Sequence, residues 1–215
     1  MTSSLEVYAD IWSPFAHVGL RAARLERDQH GRSEVKMFIH PWPLELVNGR
    51  PLDPQVTLRH VQELREQVAP DLFADFNVAT FPSSTLPALA LAGEAYRRDA
   101  GTGEAVSWAL RDALFESGRD VSDPVVLGEI ARRFSLADDA TSQTDAVVEE
   151  WHLGQIRGVK GSPHFFCGAH EAFCPTLDID RDERGGLMLR NREGQLASFL
   201  GACFNDGPDG SNVPG

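Results

Sequence analysis

Within its first 40 residues the chain carries an apolar strand, a capped helix and a second apolar strand in immediate succession, and nothing else in the sequence limits the fold as strongly. Leu5, Val7 and Ala9 alternate with Glu6, Tyr8 and Asp10, an imperfect period-two pattern that ends at Ile11. Ser13 is a good N-cap and Pro14 suits the first helical position. Val18, Leu20, Ala22 and Leu25 then recur at about helical spacing among Arg21, Arg24 and Arg27. Gly31 punctuates the end of this helix, and Val35 to Ile39 reads as a strand stopped by Pro41 and Pro43. These segments predict a β-α-β unit, whose helical crossover favours parallel pairing of its strands.

From residue 56 to residue 156 the pattern is helical, broken near Phe81-Pro82-Ser83 and at Asp123-Pro124, where Asp123 caps and Pro124 starts a helix. A polar stretch at 140–144 introduces a helix carrying Val147, Val148, Trp151 and Ile156, and four or five helices are expected in the block. Gly158-Val159-Lys160-Gly161-Ser162-Pro163 then leads into an apolar strand, His164 to Cys167. A charged connection over 178–183 and a strand at Leu187-Met188-Leu189 follow, so that the two strands form an antiparallel pair. A last helix over 192–204, capped by Asn191, buries Leu196, Phe199, Leu200 and Cys203.

The chain has 215 residues, of which 42% are apolar, enough for a real core. Its formal charge of −12 repels phosphate backbones and anionic lipid, and its basic residues are scattered, so nucleic acid and membranes are excluded as partners and a small-molecule substrate is expected. A homodimer stays open. The N-terminus lacks a basic region followed by a long apolar run, and no stretch is long enough to cross a bilayer, which predicts a cytoplasmic protein. Three cysteines are too few for a disulfide framework, so Cys167, Cys174 and Cys203 are expected to be reduced thiols. The alternative is a Cys167–Cys174 disulfide acting as a displaced redox pair. His164, Cys167, His170 and Cys174 have zinc-ligand spacing, but a strand would point His164 and Cys167 to opposite faces, so no metal is expected. Asp178, Asp180, Asp182 and Glu183 lack the turn glycine and terminal glutamate of a calcium loop and read as a solvated loop.

The order β-α-β, helical block, Gly-x-x-Gly-x-Pro and β-β-α resembles the thioredoxin fold as built in the DsbA-like superfamily, an α/β fold with a large all-helical insertion. The resemblance implies an N-terminal part at 1–55, an insertion at 56–156, a C-terminal part at 157–204 and a loose tail at 205–215. Asp10-Ile11-Trp12-Ser13-Pro14-Phe15 is similar to the opening of 2-hydroxychromene-2-carboxylate isomerases and kappa-class glutathione transferases, in which a serine stands in for the redox cysteine. Val121-Ser122-Asp123-Pro124-Val125-Val126-Leu127, following Ala113-Leu114-Phe115, looks like the insertion's pattern in that family. On this resemblance Ser13-Pro14-Phe15-Ala16 replaces a Cys-x-x-Cys motif, Ser162-Pro163 is the cis-proline loop beside the helix start, and a low-molecular-weight thiol such as glutathione is the cofactor. Ser13, Pro14, Ser162 and Pro163 would bind it.

Dithiol exchange needs an attacking and a resolving sulfur, and Ser13 and Ala16 supply neither. The helix N-terminus they occupy stabilises an anion, and the Ser13 hydroxyl can donate a hydrogen bond to the sulfur of a bound thiol, which would make Ser13 the catalytic residue. Equally, Ser13 can be a plain N-cap, worth about 1 kcal/mol to its helix. Trp12, Phe15 and His17 would wall a pocket for an aromatic or unsaturated substrate, with His17 one turn after Ser13 and able to shuttle a proton, or would be core and surface residues. The function expected is thiol-dependent isomerisation or conjugation. The alternatives are an oxidoreductase using Cys167 and Cys174 or a mixed disulfide, and a non-catalytic binding protein.

Overall fold

The computed structural model describes residues 5–137 and 139–205. Strand β1 (Leu5–Ala9), helix α1 (Pro14–Gln29) and strand β2 (Met37–Pro41) form the expected unit, with β1 and β2 parallel and Val7 opposite Ile39. Six helices then intervene before the next strand: α2 (Leu44–Asn48), α3 (Pro54–Gln67), α4 (Leu86–Arg98), α5 (Ala100–Phe115), α6 (Pro124–Arg133) and α7 (Thr144–Arg157). Asp53, Asp99 and Asp123 cap α3, α5 and α6, each accepting backbone N–H groups in the first turn.

Strand β3 (His164–Cys167) returns antiparallel to β1, and β4 (His170–Phe173) pairs with β3, giving the order β2-β1-β3-β4. The expected partner of β3, Leu187 to Leu189, lies elsewhere. The chain from 177 to 191 forms a separate hairpin of β5 (Leu177–Arg181) and β6 (Leu187–Asn191), with Ile179 opposite Leu189. The stretch read as a charged loop is therefore mostly strand. Its alternating acids face solvent while Leu187 and Leu189 are buried, and Glu63 and Gln67 of α3 accept the Leu187 and Leu189 N–H groups at 3.0 and 2.8 Å. Asn191 consequently ends β6 instead of capping the last helix, α8 (Gln195–Asn205). Of the predicted tail, Asn205 closes α8 and residues 206–215 lie outside the described residues.

Period-two alternation sorts the sheet's faces. Leu5, Val7, Ala9, Phe165 and Cys167 turn to one side, where Ala16, Leu20 and Ala23 of α1 and Leu196, Phe199 and Leu200 of α8 cover them. Tyr8 and Phe166 turn to the other and pack with Trp42 against α7, which approaches so closely that a Cβ on Gly154 would lie 2.8 Å from both Tyr8 and Trp42. The outer edge of β2 is closed by side chains. The Tyr96 hydroxyl of α4 accepts from Ile39 N–H at 3.0 Å and donates to Met37 C=O at 2.9 Å, and Glu104 of α5 accepts from Met37 N–H. Glu104 is in turn paired with buried Arg27 of α1 at 2.9 Å. A larger core inside the helical block joins Val61, Leu64, Leu91, Leu110, Phe115 and Leu127.

Candidate active site

Ser13 is the N-cap of α1, in extended conformation, and its Oγ accepts a hydrogen bond from Ala16 N–H at 3.2 Å. The same hydroxyl donates to Ser162 C=O at 3.4 Å, a long bond for an O–H donor and so a weak hold on its proton. Ser162-Pro163 is a cis peptide, and Asp10 N–H donates to Ser162 Oγ at 2.9 Å, locking this loop to the end of β1. Gly19, two turns into α1, lets the helix lie against Pro163, since a Cβ there would lie 3.0 Å from Pro163 Cγ. Two segments about 150 residues apart in sequence thus meet at one helix start.

This corner opens onto a pocket of about 430 Å³ lined by Ser13, Pro14, Phe15, Leu44, Val56 and His60, among others. Ser13 lines the pocket but is only 2% exposed, so it presents little surface to it. A cavity of about 260 Å³ between β2, α4 and α7, lined by Phe38, Leu89, Tyr96 and Leu153, contains none of these groups.

Behind Ser13 stands a buried polar network. Asp10 is wholly buried. Its carboxylate accepts from Thr85 Oγ1 at 2.8 Å and from Leu44 N–H, and burial pushes its carboxyl up to about 6 despite these bonds. Arg111, also fully buried, donates to Asp10 C=O at 2.6 Å, and desolvation lowers its guanidinium to about 10. Glu45 accepts from Thr85 N–H at 2.8 Å and holds the start of α4 against α2. None of Thr85, Arg111 or Glu45 is among the residues predicted for the site. The one signal of Arg111 in sequence is a lone cation inside the apolar run 106–115.

The three predicted wall residues separate. Phe15 lines the pocket. Trp12 is fully buried in the helical core, stacked on Phe81 at 5.7 Å with an interplanar angle of 4°, and does not line it. His17 is also fully buried, between Phe73 and Phe115, because a residue four on from the cap turns to the face that α1 presents to the helical block. Its Nε2 lies 2.6 Å from Glu116 Oε1, and burial lowers its pKa, so the neutral ring donates to the carboxylate. Glu116 is raised by burial but held down more strongly by the bonds it accepts from His17 and from backbone N–H groups of Ala74 and Phe73, settling at about 2. A pocket role for Trp12 or His17 is thereby corrected to a structural one.

The cysteines also differ from expectation. Cys167 of β3 is disulfide-bonded to Cys203 of α8, with Cα atoms 5.6 Å apart, and both are buried, so neither is the reduced thiol expected. Cys174 is free and buried, and burial raises its thiol pKa. A Cys167–Cys174 redox pair is therefore overturned, and with Cys167 so bonded it is no metal ligand. Among the described residues no group of three or more His, Cys, Asp or Glu side chains is placed to hold a metal ion. His60 of α3, missed in the sequence, lines the pocket with its ring 5.3 Å from that of Phe15.

No protein-family model and no curated protein sequence matches the chain. Solved structures do match. The cytosolic disulfide reductase DsbM from Pseudomonas aeruginosa superposes with a TM-score of 0.57 at 16% identity over 93% of this chain and 97% of that one, and its structure with GSH gives 0.56. A probable DsbA oxidoreductase from Streptomyces coelicolor gives 0.64 at 20% identity over 99% and 100%. This chain has the DsbA-like thioredoxin fold. A 2-hydroxychromene-2-carboxylate isomerase is also similar, with a TM-score of 0.56 at 14% identity over 79% of this chain and 87% of that one. Helices α2 to α7 lie between β2 and β3 of this fold, and Ser13 and cis-Pro163 stand at the start of its α1.

Proposed function

We propose that the chain is a cytoplasmic isomerase or transferase that binds a low-molecular-weight thiol, glutathione or an equivalent, at Ser13 and acts on a small unsaturated or aromatic substrate. The observation that carries this is the Ser13 hydroxyl. It sits at a helix N-terminus beside Ser162-Pro163 on a residue that lines a pocket, and its proton is held only by the 3.4 Å contact to Ser162 C=O. Turning that proton toward a ligand costs little, while Ala16 N–H keeps the oxygen in place. The donor set suits an anionic sulfur, because the helix N-terminus contributes partial positive charge and Ser13 an O–H donor, with no competing carboxylate bonded to either. When bound, the thiol supplies the nucleophile for addition to a conjugated double bond, after which rotation and departure, or retention, give isomerisation or conjugation. Pro14 and Phe15 offer apolar walls, while Ser162 and Pro163 stand outside the pocket lining and support Ser13 from behind through the Ser162 C=O contact. The fold likeness to a disulfide reductase solved with GSH and to an isomerase supports the thiol and the isomerase parts of this reading. A pocket of this size is within the range that takes small cofactors.

Calorimetric titration with glutathione tests the reading. Saturable binding that Ser13→Ala weakens by roughly tenfold, the worth of one hydrogen bond to a charged group, is the expected result. Absence of binding to glutathione and other cellular thiols would overturn it.

A further inference from the structure

The pocket at Ser13 contains a titratable side chain with no protein partner for its polar atoms. His60 of α3 is half-buried, rests its ring on Phe15 and lines the same pocket as Ser13. Among the described residues neither of its ring nitrogens makes a hydrogen bond, in contrast to His17 and His40, each held by a glutamate at 2.6 and 2.9 Å. An imidazole that is not spent on the protein, at the wall of a cleft, is free to serve what enters the cleft. The charged groups acting on it are Glu63 and Arg59 on its own helix and Arg181 of β5, and Arg50 and Asp53 line the same pocket. Burial, reinforced by the two arginines and opposed by Glu63, keeps the ring neutral at neutral pH and so able to accept a proton. Asp53, the acid among the pocket's lining residues, is committed to capping α3 by accepting from Gln55 and Val56 N–H.

On the thiol reading above, we infer that His60 is the base that takes the proton of the bound thiol. The S–H bond breaks, its electron pair stays on sulfur, and the proton moves to the free ring nitrogen. The resulting imidazolium then faces a thiolate held by Ser13 and the α1 N-terminus. A thiol of ordinary pKa near 8.5 is only a few per cent ionised at pH 7, so a protein that uses a thiolate and has no cysteine of its own at the site gains most from a base placed there.

The test measures ionisation directly, apart from any catalysis. Glutathione is titrated into wild-type protein and His60→Gln near neutral pH, and the thiolate is read by its ultraviolet absorbance. The proton count is read by calorimetry in buffers of different ionisation enthalpy. Wild type should show a thiolate signal with no net proton released, the proton having stayed on the protein. His60→Gln should lose the thiolate signal several-fold at the same pH, with only the Ser13 hydroxyl and the α1 N-terminus left to favour it, and the thiolate that remains should be matched by protons released to the buffer. S-methylglutathione, which has no thiol proton, should bind both proteins equally. An undiminished thiolate signal in His60→Gln, or an equal loss of S-methylglutathione binding, would overturn the role of His60 while leaving the thiol site standing. Failure of wild type to bind glutathione at all would overturn the thiol reading and this inference together.

Discussion

Asp10 and Glu116 are both carboxylates withdrawn from water, yet their environments drive them in opposite directions. Asp10 is fully enclosed and its carboxyl rises to about 6, above the value near 3.9 of an unfolded chain. The folded state therefore binds this proton more tightly, and the stability contributed by Asp10 is complete below about pH 4 and lost as pH rises through 6. Over that interval the change is about 3 kcal/mol. Urea denaturation of wild type and Asp10→Asn across this range should show the variant gaining on wild type as pH rises. A difference that does not vary with pH would refute the assignment. Glu116 falls to about 2, so its contribution is present above about pH 4.3 and lost as pH drops toward 2. Glu116→Gln should be less stable than wild type at neutral pH, with the gap closing on acidification. Neither behaviour is readable from sequence, since an aspartate ending a strand and a glutamate ending a helix look alike without their burial.

At the scale of elements, local chemistry made much of the architecture legible. The Ser13-Pro14 and Asp123-Pro124 pairs are caps with proline in the first turn, as their sequences suggest, and the spacing of Leu196, Phe199, Leu200 and Cys203 marks the buried face of α8. Strand pairing was harder, because β3 could take either following strand. The tight turn after Cys167 at Gly168, with φ of 58°, gives the nearer one the advantage, and α3 captures the other hairpin through Glu63 and Gln67. The closure of β2 by Tyr96 was invisible, as it depends on a residue over 50 positions away. Its weight can be measured. Tyr96→Phe keeps the ring but strands Ile39 N–H and Met37 C=O, and should cost about 1–3 kcal/mol in chemical denaturation. A cost near zero would show that this edge does not depend on the hydroxyl.

For the molecule as a whole, the meeting of Ser13 with Ser162-Pro163 was legible because each segment is a local motif, whereas the placement of Trp12, His17 and His60 depends on how α1 and α3 pack. The disulfide is a global feature of the same kind. Cys167 and Cys203 are separated by 36 residues and tie β3 to the last described helix, so the tie restricts the whole C-terminal part of the unfolded chain. By the chain-entropy relation a loop of that length is worth about 4 kcal/mol. A reducing cytoplasm opposes such bonds, and the proposed location therefore puts the bond and its compartment in competition. With Cys167 at 2% and Cys203 at 1% exposure, exchange with external thiols requires the sheet and α8 to separate first. Alkylation after unfolding without reductant should label Cys174 alone, and reductant should expose all three cysteines. Reduced protein, or Cys203→Ser, should be less stable to urea by about 4 kcal/mol, while glutathione binding at Ser13 persists because the bond joins β3 to α8 and touches neither Ser13 nor Ser162. Equal stability with and without reductant, in protein shown to be oxidised beforehand, would mean that packing of Phe199 and Leu200 alone holds α8 in place.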